Sequence, residues 1–469
     1  MPVALTEPNV RHLLRRAEIV DRPARVQELL ALGSIEDAVD NVMAVPANPG
    51  SVSWSSSQNW ERGVELTEYW LNRMAHDSPR PLQEKMSFFW HGLFCSEFGK
   101  VGLAALMREQ IDLFRHSGLT NVRDLAKTMS IQVAMLRYLD NNQNKASSPN
   151  QNFFRELMEL FLLGVGNYNE ADVEAGTAAW TGHTDQWDDE VSPYRWRPEW
   201  HDNSTKSLLG RTINNGGDPE LHGFETIDVI LGNGTVPNDA TNVGNRGRPT
   251  REVAAEFLSR KLWTVFATDA PPSNAAMSAM RNALINNNFD VVPWVRAMLT
   301  HDDFYATSVK TGLVRSPVEY MVALLYASGR RAEAVGLTWQ MDGMGQRPLF
   351  PPNVSGWKAN GYWINASAME RRARAVQSFA WATQRTYWDD GGEMRLADGN
   401  ISREELTARN NGTPVMSSAQ VIDRITDLCL LEISSGLRAD LIAYLDSIPV
   451  WERNDVLFLL FVAPEMQLA

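Results

Sequence analysis

The segment NFFRELMELFLL, residues 152–163, carries four polar side chains in an otherwise apolar run. On a helical wheel at about 100° per residue, Asn152, Arg155, Glu156 and Glu159 fall within roughly one third of the circumference. Two carboxylates three residues apart can share a metal, pair with cations, or divide into an acid and a base. The stripe therefore predicts either a surface ladder of Arg and Glu or one wall of an internal polar cleft.

A second polar stripe lies in the segment PLQEKMSFFWHGLFCSE. Glu84, His91 and Cys95 stand at i, i+7 and i+11, and the i, i+4 spacing of His91 and Cys95 is typical of metal ligands on a helix. Glu84 and His91 are therefore the candidate ligands of a divalent metal. The alternative is a core histidine with a hydrogen-bond partner inside the protein, since the aromatic neighbours indicate burial.

A third polar group lies in the segment WHDNSTKSLLG, where His201, Asp202 and Lys206 follow a tryptophan in a loop-like stretch. His and Asp beside a Lys can perform acid–base chemistry or bind an anion, although turn formation explains the Asp more simply. Lys145, in the amide-rich stretch DNNQNKASSPNQN, is a further candidate for binding a polar substrate.

Composition and motifs limit the classes of function. The chain of 469 residues has a net charge of −13, which argues against a nucleic-acid partner because phosphate contacts need a basic surface. Its two cysteines form no disulfide framework and no CxxC metal motif. The sequence contains no GxSxG, HExxH, Walker, EF-hand or ExxH motif. The amino terminus lacks the pattern of a signal peptide and no apolar stretch is long enough to span a membrane, so a cytoplasmic location is expected from the sequence.

Helical periodicity dominates the chain and predicts the elements that position these side chains. Pro23 is expected as a first helical residue and Ser34 as an N-cap. The longer helices are predicted at Trp60–Arg73, Pro81–Phe98, Leu103–His116, Asn121–Met129, Ile131–Leu139, Asn152–Leu163, Ala171–Trp180, Arg251–Phe266, Asn274–Ile285, Val292–Leu299, Pro317–Ala327 and Ala366–Arg385. A polar linker from about residue 388 to residue 414 precedes two or three closing helices between residues 417 and 461.

Between residues 183 and 249 the helical pattern gives way to short alternating runs and to Gly- and Asn-rich loop. We therefore predict a mainly α fold, a large single multi-helix globular domain with a small β/loop insertion near the middle. Its parts are an N-terminal helical part at 1–182 carrying both polar-striped helices, the insertion at 183–249, a second helical part at 250–385, and the linker and closing helices at 386–469. All four parts are expected to form one compact unit.

Taken together, these segments resemble a bacterial family, domain of unknown function 1800. The matching segments are HLLRRAEI, PLQEKMSFFWHGLF, DLAKTMSIQVAMLRYLDNNQNK, PNQNFFRELMELFLLGVGNYNEADV, WTG, WHDNSTKSLLG, FLSRKLWTVF, SPVEYMVALL, MGQRPLFPPNVSGWKANGYWIN and FLLFVAPEMQ. The sequence departs from the family pattern at Leu93, where a second histidine is commoner, which weakens a histidine-pair metal site. It departs again at Asn169, where Thr is usual, and either residue suits a helix cap.

The resemblance implies no established activity. It implies instead a genomic neighbour, another unassigned family, number 1501, which resembles alkaline phosphatases and sulfatases and often carries a twin-arginine leader. Export together with such a partner is the alternative to a cytoplasmic location. Because the family's motifs include the three polar groups themselves, the resemblance favours a shared internal cleft over a surface ladder.

Two hypotheses about function follow. In the first, the protein is an enzyme whose cleft performs acid–base or metal-assisted hydrolysis or lyase chemistry on a polar or anionic substrate. Its catalytic residues would be Glu156 or Glu159 as base with His91, His201 and Asp202, and its substrate-binding residues Asn152, Arg155, Lys206 and Lys145. In the second, the protein is a non-catalytic binding or assembly partner of the phosphatase-like or sulfatase-like protein, and its polar stripes are buried networks that fix the helices.

Overall fold

The computed structural model describes residues 3–187, 192–213, 217–377, 394–396, 399–401, 409–410, 413–429, 431–453 and 455–469. The helices of the first part are α1 Glu7–Glu18, α2 Pro23–Leu30, α3 Ile35–Met43, α4 Asn59–Asn72, α5 Leu82–Leu93, α6 Phe98–Val101, α7 Ala104–Ser117, α8 Val122–Ile131, α9 Val133–Tyr138, α10 Asn152–Glu156 and α11 Glu170–Ala179. The later helices are α12 His222–Asp228, α13 Thr250–Phe266, α14 Asn274–Asn286, α15 Val291–Leu299, α16 Thr307–Lys310, α17 Pro317–Ser328, α18 Thr338–Met344, α19 Ser418–Cys429, α20 Ser435–Ser447, α21 Asp455–Val462 and α22 Pro464–Gln467.

Local signals in the sequence explain where several of these helices begin. Pro23 is the first residue of α2, where its missing N–H costs no hydrogen bond. The Ser34 side chain accepts a hydrogen bond from the backbone N–H of Asp37 and caps α3. Asn169 and Asp172 form a reciprocal capping box at the start of α11. The predictions of a mainly α fold and of these starting positions are confirmed.

Two of the predicted helices end at other residues than the sequence predicts. Helix α5 stops at Leu93 rather than at residue 98, and Phe94 already has non-helical backbone angles. The helix that begins at Asn152 keeps the α-helical pattern only to Glu156, and it continues as a π-helix over Leu157–Leu162. A π-helix holds more residues in each turn than the 3.6 of an α-helix. A wheel drawn at 100° per residue therefore gives wrong relative positions beyond Glu156.

The predicted insertion contains two antiparallel strand pairs and an unpredicted helix. Strand β1 His183–Asp185 pairs with β2 Tyr194–Trp196, and β3 Lys206–Leu208 pairs with β4 Arg211–Ile213. Helix α12 and the π-helix Val229–Asn233 follow, and these two helical segments were not predicted within 183–249. Late in the chain, β5 Met394–Leu396 pairs with β6 Gly399–Ile401 and β7 Arg409–Asn410 with β8 Thr413–Pro414.

One continuous hydrophobic core extends from Val10 in α1 to Met466 in α22, and it includes residues on both sides of the expected divisions at 182/183 and 249/250. Its largest fully buried side chains include the tryptophans Trp70, Trp90, Trp180, Trp294 and Trp363. Residues 366–377 are helical as predicted, whereas 378–385 of the same prediction and most of the expected linker lie outside the described residues. In the described part of the chain, no helix has the length and apolar character needed to cross a membrane.

Candidate ligand-binding pocket

A cavity of about 470 Å³ lies between α5, α13 and the segment 355–363. Helix α5 contributes Lys85, Phe88, Phe89 and Gly92, at i, i+3, i+4 and i+7, which is one face of the helix. Helix α13 contributes its own face with the same spacing, namely Phe257, Arg260, Lys261 and Thr264. Two helices that are distant in sequence therefore supply matching walls of one pocket.

Part of the pocket wall is formed by stacked aromatic rings. Trp357 stacks on Phe88, with ring centroids 5.4 Å apart and planes inclined by 21°. The loop that carries Trp357 approaches α5 closely, because a Cβ atom added to Gly356 would lie 2.3 Å from the backbone oxygen of Gly92. Gly356 also has a φ of +77°, a conformation that glycine adopts without strain. Glycine at this position is what allows the indole to lie against the helix.

Three cations surround the pocket opening. Arg260 and Lys358 are exposed and Lys261 is half-buried. None of the three forms an ion pair with a described residue. Burial lowers the pKa of Lys261, and the neighbouring Lys358 lowers it further against an opposing effect of Cys95. The opening of the pocket is therefore positively charged in a protein whose net charge is −13.

A buried ion pair lies at the inner end of the pocket. The Lys85 ammonium donates to Oε1 of Glu319 over 2.7 Å, and Lys85 is 2% exposed. The second carboxylate oxygen of Glu319 accepts from the backbone N–H of Ser316, which caps α17. Burial opposes the charge of Glu319, yet Lys85 and the Ser316 bonds hold the pKa of Glu319 below its ordinary value. Glu319 is the single acid among the described residues that line the pocket.

Glu84 does not face this pocket. Its two carboxylate oxygens accept hydrogen bonds from Arg73 Nε over 2.6 Å and from Arg115 Nε over 2.9 Å, and the Glu84 side chain is fully buried. Both oxygens are thus occupied by arginines. The geometry gives no support to Glu84 as a metal ligand, and its contacts instead hold α5 against α7 and the end of α4.

His91 is a buried histidine with a structural partner. Its Nε2 accepts from the backbone N–H of Leu349 over 3.1 Å, and its ring packs edge-on against Trp357 at 5.3 Å. Burial lowers the pKa of His91 to about 3, so the ring is neutral near pH 7. The geometry gives no support to His91 as a metal ligand or proton donor. Its ring instead packs against Trp357, which belongs to the aromatic wall of the pocket.

Cys95 lies beyond the end of α5, so the expected alignment of Glu84, His91 and Cys95 along one helical face is wrong. Its thiol donates to the carbonyl of Gly92 over 3.2 Å, and burial raises the pKa of Cys95 to about 12. Among the described residues, no group of three or more His, Cys, Asp or Glu side chains could hold a metal ion. The prediction of a divalent metal therefore has no support in this geometry.

The polar stripe of residues 152–159 lies at the surface. Arg155 binds both oxygens of Glu170 over 3.0 and 2.9 Å, and the Glu170 side chain is 71% exposed. Glu159 accepts from the Tyr168 hydroxyl over 2.5 Å. Burial and then the charge of Glu159 raise the pKa of Glu156. Asn152 is exposed. These contacts are those of a partly exposed Arg and Glu ladder, and the favoured internal cleft is wrong for this helix.

The third polar group, which consists of His201, Asp202 and Lys206, also has hydrogen-bond partners nearby. His201 Nδ1 donates to the carbonyl of Thr181 over 2.8 Å, and its Nε2 accepts from His222 Nδ1 over 3.0 Å. Asp202 accepts from the backbone N–H of Ser204, as the turn interpretation predicts. The Lys206 ammonium donates to the backbone carbonyls of Asp202 and Ser204. Lys206 is thus occupied by backbone oxygens rather than open to an anion.

Lys145, the remaining candidate, places its ammonium 3.8 Å from the centroid of the Trp200 ring. Each of the three polar groups is held by contacts in its own neighbourhood, and none of the predicted site residues lines the pocket between α5 and α13. Two other cavities, of about 240 and 520 Å³, are likewise lined by none of them. The described residues do not bring the three groups to one cleft, and catalytic roles for Glu156 and Glu159 stay predictions.

The pocket residues themselves escaped sequence reasoning. Their signal was present as Lys, Phe, Phe and Gly at helical spacing in one segment and Phe, Arg, Lys and Thr at the same spacing in FLSRKLWTVF. Each pattern alone is an ordinary amphipathic helix. Only the tertiary structure, which brings both faces to one cavity, makes them the lining of a pocket.

Comparison with known proteins identifies a family and no activity. The model of a family described as "Protein of unknown function (DUF1800)" matches residues 12–468. No curated protein and no solved structure matches the chain.

Proposed function

The chain belongs to the DUF1800 family of proteins of unknown function, and on that premise we propose that it binds a small organic anion with an apolar body in the pocket between α5, α13 and residues 355–363. The observation that carries the proposal is a set of three cations, Arg260, Lys261 and Lys358, which have no ion-pair partner among the described residues and line an aromatic-walled cavity.

The two kinds of lining residue favour different parts of such a ligand. The pocket has an apolar surface formed by Phe88, Phe257 and Trp357. A bound apolar group removes this surface from water, which makes the free energy of binding more favourable. The cations add charge-assisted hydrogen bonds to a carboxylate, sulfonate or phosphate. Pockets for small molecules commonly combine an apolar lining with a few convergent polar groups. A neutral ligand would use the walls and leave the cations unpaired.

The expected substrate class, a polar or anionic molecule, is kept in this proposal, whereas the residues that recognise it change. Hydrolysis or lyase chemistry stays a prediction, and so does the alternative of docking on the phosphatase-like or sulfatase-like partner of family 1501. Neither has a described contact that favours it. Binding of the anion is the part of the function that the pocket supports.

A pair of fluorescent probes tests the proposal. Anilinonaphthalene sulfonate and N-phenylnaphthylamine share an apolar body, and the first alone carries an anionic group. We expect the double variant Lys261→Gln/Lys358→Gln to bind the sulfonate about a hundredfold more weakly, since charge-assisted hydrogen bonds contribute roughly 1.5 kcal/mol each and the variant removes two of them. Its affinity for the neutral probe should stay unchanged.

The matched control is Lys100→Gln, which removes an exposed lysine that pairs with Asp140 outside the pocket. It should bind both probes as the unmodified protein does. Trp357→Ala should weaken both probes, because the wall is shared. Equal affinity of the unmodified protein for the two probes, or an unchanged sulfonate affinity in the double variant, would refute the proposal.

A further inference from the structure

We propose, resting on the proposed function, that Lys85 is a covalent anchor in this pocket, whose amine condenses with the carbonyl group of a bound aldehyde or ketone to form an imine. The ligand class is then an apolar carbonyl compound with an anionic group, the carbonyl directed inward to Lys85 and the anionic group outward to Lys261 and Lys358.

The position of Lys85 is the first ground for this inference. Its side chain lines the cavity and is almost fully buried. Its ammonium lies 4.9 Å from the centroid of the Phe266 ring. Burying a lysine is costly, and such lysines occur among the reactive amines of proteins because their charged form is disfavoured. A lysine that only paired with a carboxylate would not need to face a cavity.

The charges around Lys85 are the second ground. Glu319 interacts with Lys85 and with the buried cations Arg16 and Arg315, and Asp21 also interacts with Arg315, so two carboxylates face three positive charges. The Nε and Nη1 atoms of Arg16 are buried and have no hydrogen-bond partner in the described part of the chain. Burial lowers the pKa of Lys85, Glu319 opposes that effect, and Arg16 and Arg315 add to it. This surplus of positive charge favours the neutral, nucleophilic amine.

The Glu319 carboxylate is the third ground, because imine formation needs a proton carrier. The Lys85 ammonium transfers one proton to Glu319 Oε1, which it already contacts. The amine then forms a C–N bond to the carbonyl carbon as the C=O π bond breaks, and one proton of the attacking nitrogen moves to the carbonyl oxygen, which becomes a hydroxyl. Glu319 returns the proton to this hydroxyl, which leaves as water. The ammonium and the carbonyl are thus converted into a protonated imine and one water, with no oxidant or reductant.

Reductive trapping tests the inference on the unmodified chain. We would incubate the protein with 4-formylbenzoate, add cyanoborohydride, and locate the reduced adduct by peptide mass spectrometry. We expect Lys85 to carry most of the label although it is among the least exposed lysines, and an excess of anilinonaphthalene sulfonate should prevent labelling. In Lys85→Arg that label should be lost, whereas Lys100→Arg should retain it.

Two results would overturn the inference. In one, the amount of label on each lysine increases with its exposure; in the other, Lys261 is labelled and Lys85 is not. The readout on the unmodified chain decides the question even where Lys85→Arg fails to fold. The two proposals fail in distinguishable ways. Charge-dependent binding of the sulfonate probe without label on Lys85 removes only the covalent anchor, whereas loss of both removes the pocket as a site.

Discussion

At the scale of single residues, Glu84 and Lys85 show how the contacts of a buried charged side chain decide its role. Glu84 has the sequence context of a metal ligand, yet both of its oxygens are bound by arginines. Lys85, its neighbour in sequence, points to the other side of α5 and lines a cavity. Adjacent charged residues on one helix thus have different roles, and the contacts of each one decide between them.

The buried contacts of Glu84 predict a large loss of stability in Glu84→Gln. An amide cannot neutralise Arg73, which loses its ion pair with Glu84, and it leaves Arg115 paired with Asp112 alone. Leaving a buried charge without its partner costs about 3–5 kcal/mol. Thermal unfolding followed by circular dichroism measures the effect. The matched control is Glu170→Gln, which removes an exposed partner of Arg155 and should leave the midpoint nearly unchanged. Similar midpoints in the two variants would contradict the structural role of Glu84.

At the scale of elements, α10 and α11 approach each other at a position where only glycine fits. A Cβ atom added to Gly176 in α11 would lie 1.9 Å from the Phe154 ring of α10. Phe154 is 1% exposed and cannot swing into solvent without losing its place in the core. The ring therefore fixes how closely the two helices pack.

This contact predicts that Gly176→Ala destabilises the protein by about 1–3 kcal/mol, the usual cost of overpacking. Urea unfolding gives the free energy of unfolding. Replacing Phe154 by Leu in the same chain should restore part of the loss, because the smaller side chain leaves room for the new methyl group. Gly232→Ala is the matched control, since its Cβ would meet no atom of the described residues within 4 Å. An unchanged free energy in Gly176→Ala would show that the helices can separate freely.

Sequence reasoning succeeded where a signal is local. Ser34 and Asn169 predict helix starts because their side chains cap the backbone that follows them. It failed at the π-helix Leu157–Leu162, because no residue type encodes the extra residue per turn. It failed for the pocket as well, since Lys85 and Lys261 are far apart in the chain and only tertiary packing joins their faces.

At the scale of the whole molecule, the histidines are unusually well buried. His91 and His183 are fully buried, and burial lowers the pKa of each to about 3. Burial also lowers the pKa values of His12, His201 and His222. In the unfolded chain these groups titrate near pH 6.5. The folded state must therefore keep neutral several rings that the unfolded state protonates in mild acid.

The sign of the resulting pH dependence follows from proton binding. Between pH 6.5 and about 3, the unfolded chain binds protons at His91 and His183 that the folded protein does not bind, so stability falls as the pH falls. Each fully shifted histidine contributes a slope of about 1.4 kcal/mol per pH unit. Urea unfolding at steps from pH 8 to pH 5 measures the slope.

In His91→Gln the slope should decrease by the contribution of one histidine. The matched control His116→Gln changes an exposed histidine and should leave the slope unchanged. A free energy of unfolding that stays constant from pH 6.5 to pH 5 would show that the buried rings accept protons in place, and that the core around Trp357 and Trp180 is more accessible to water than these contacts imply.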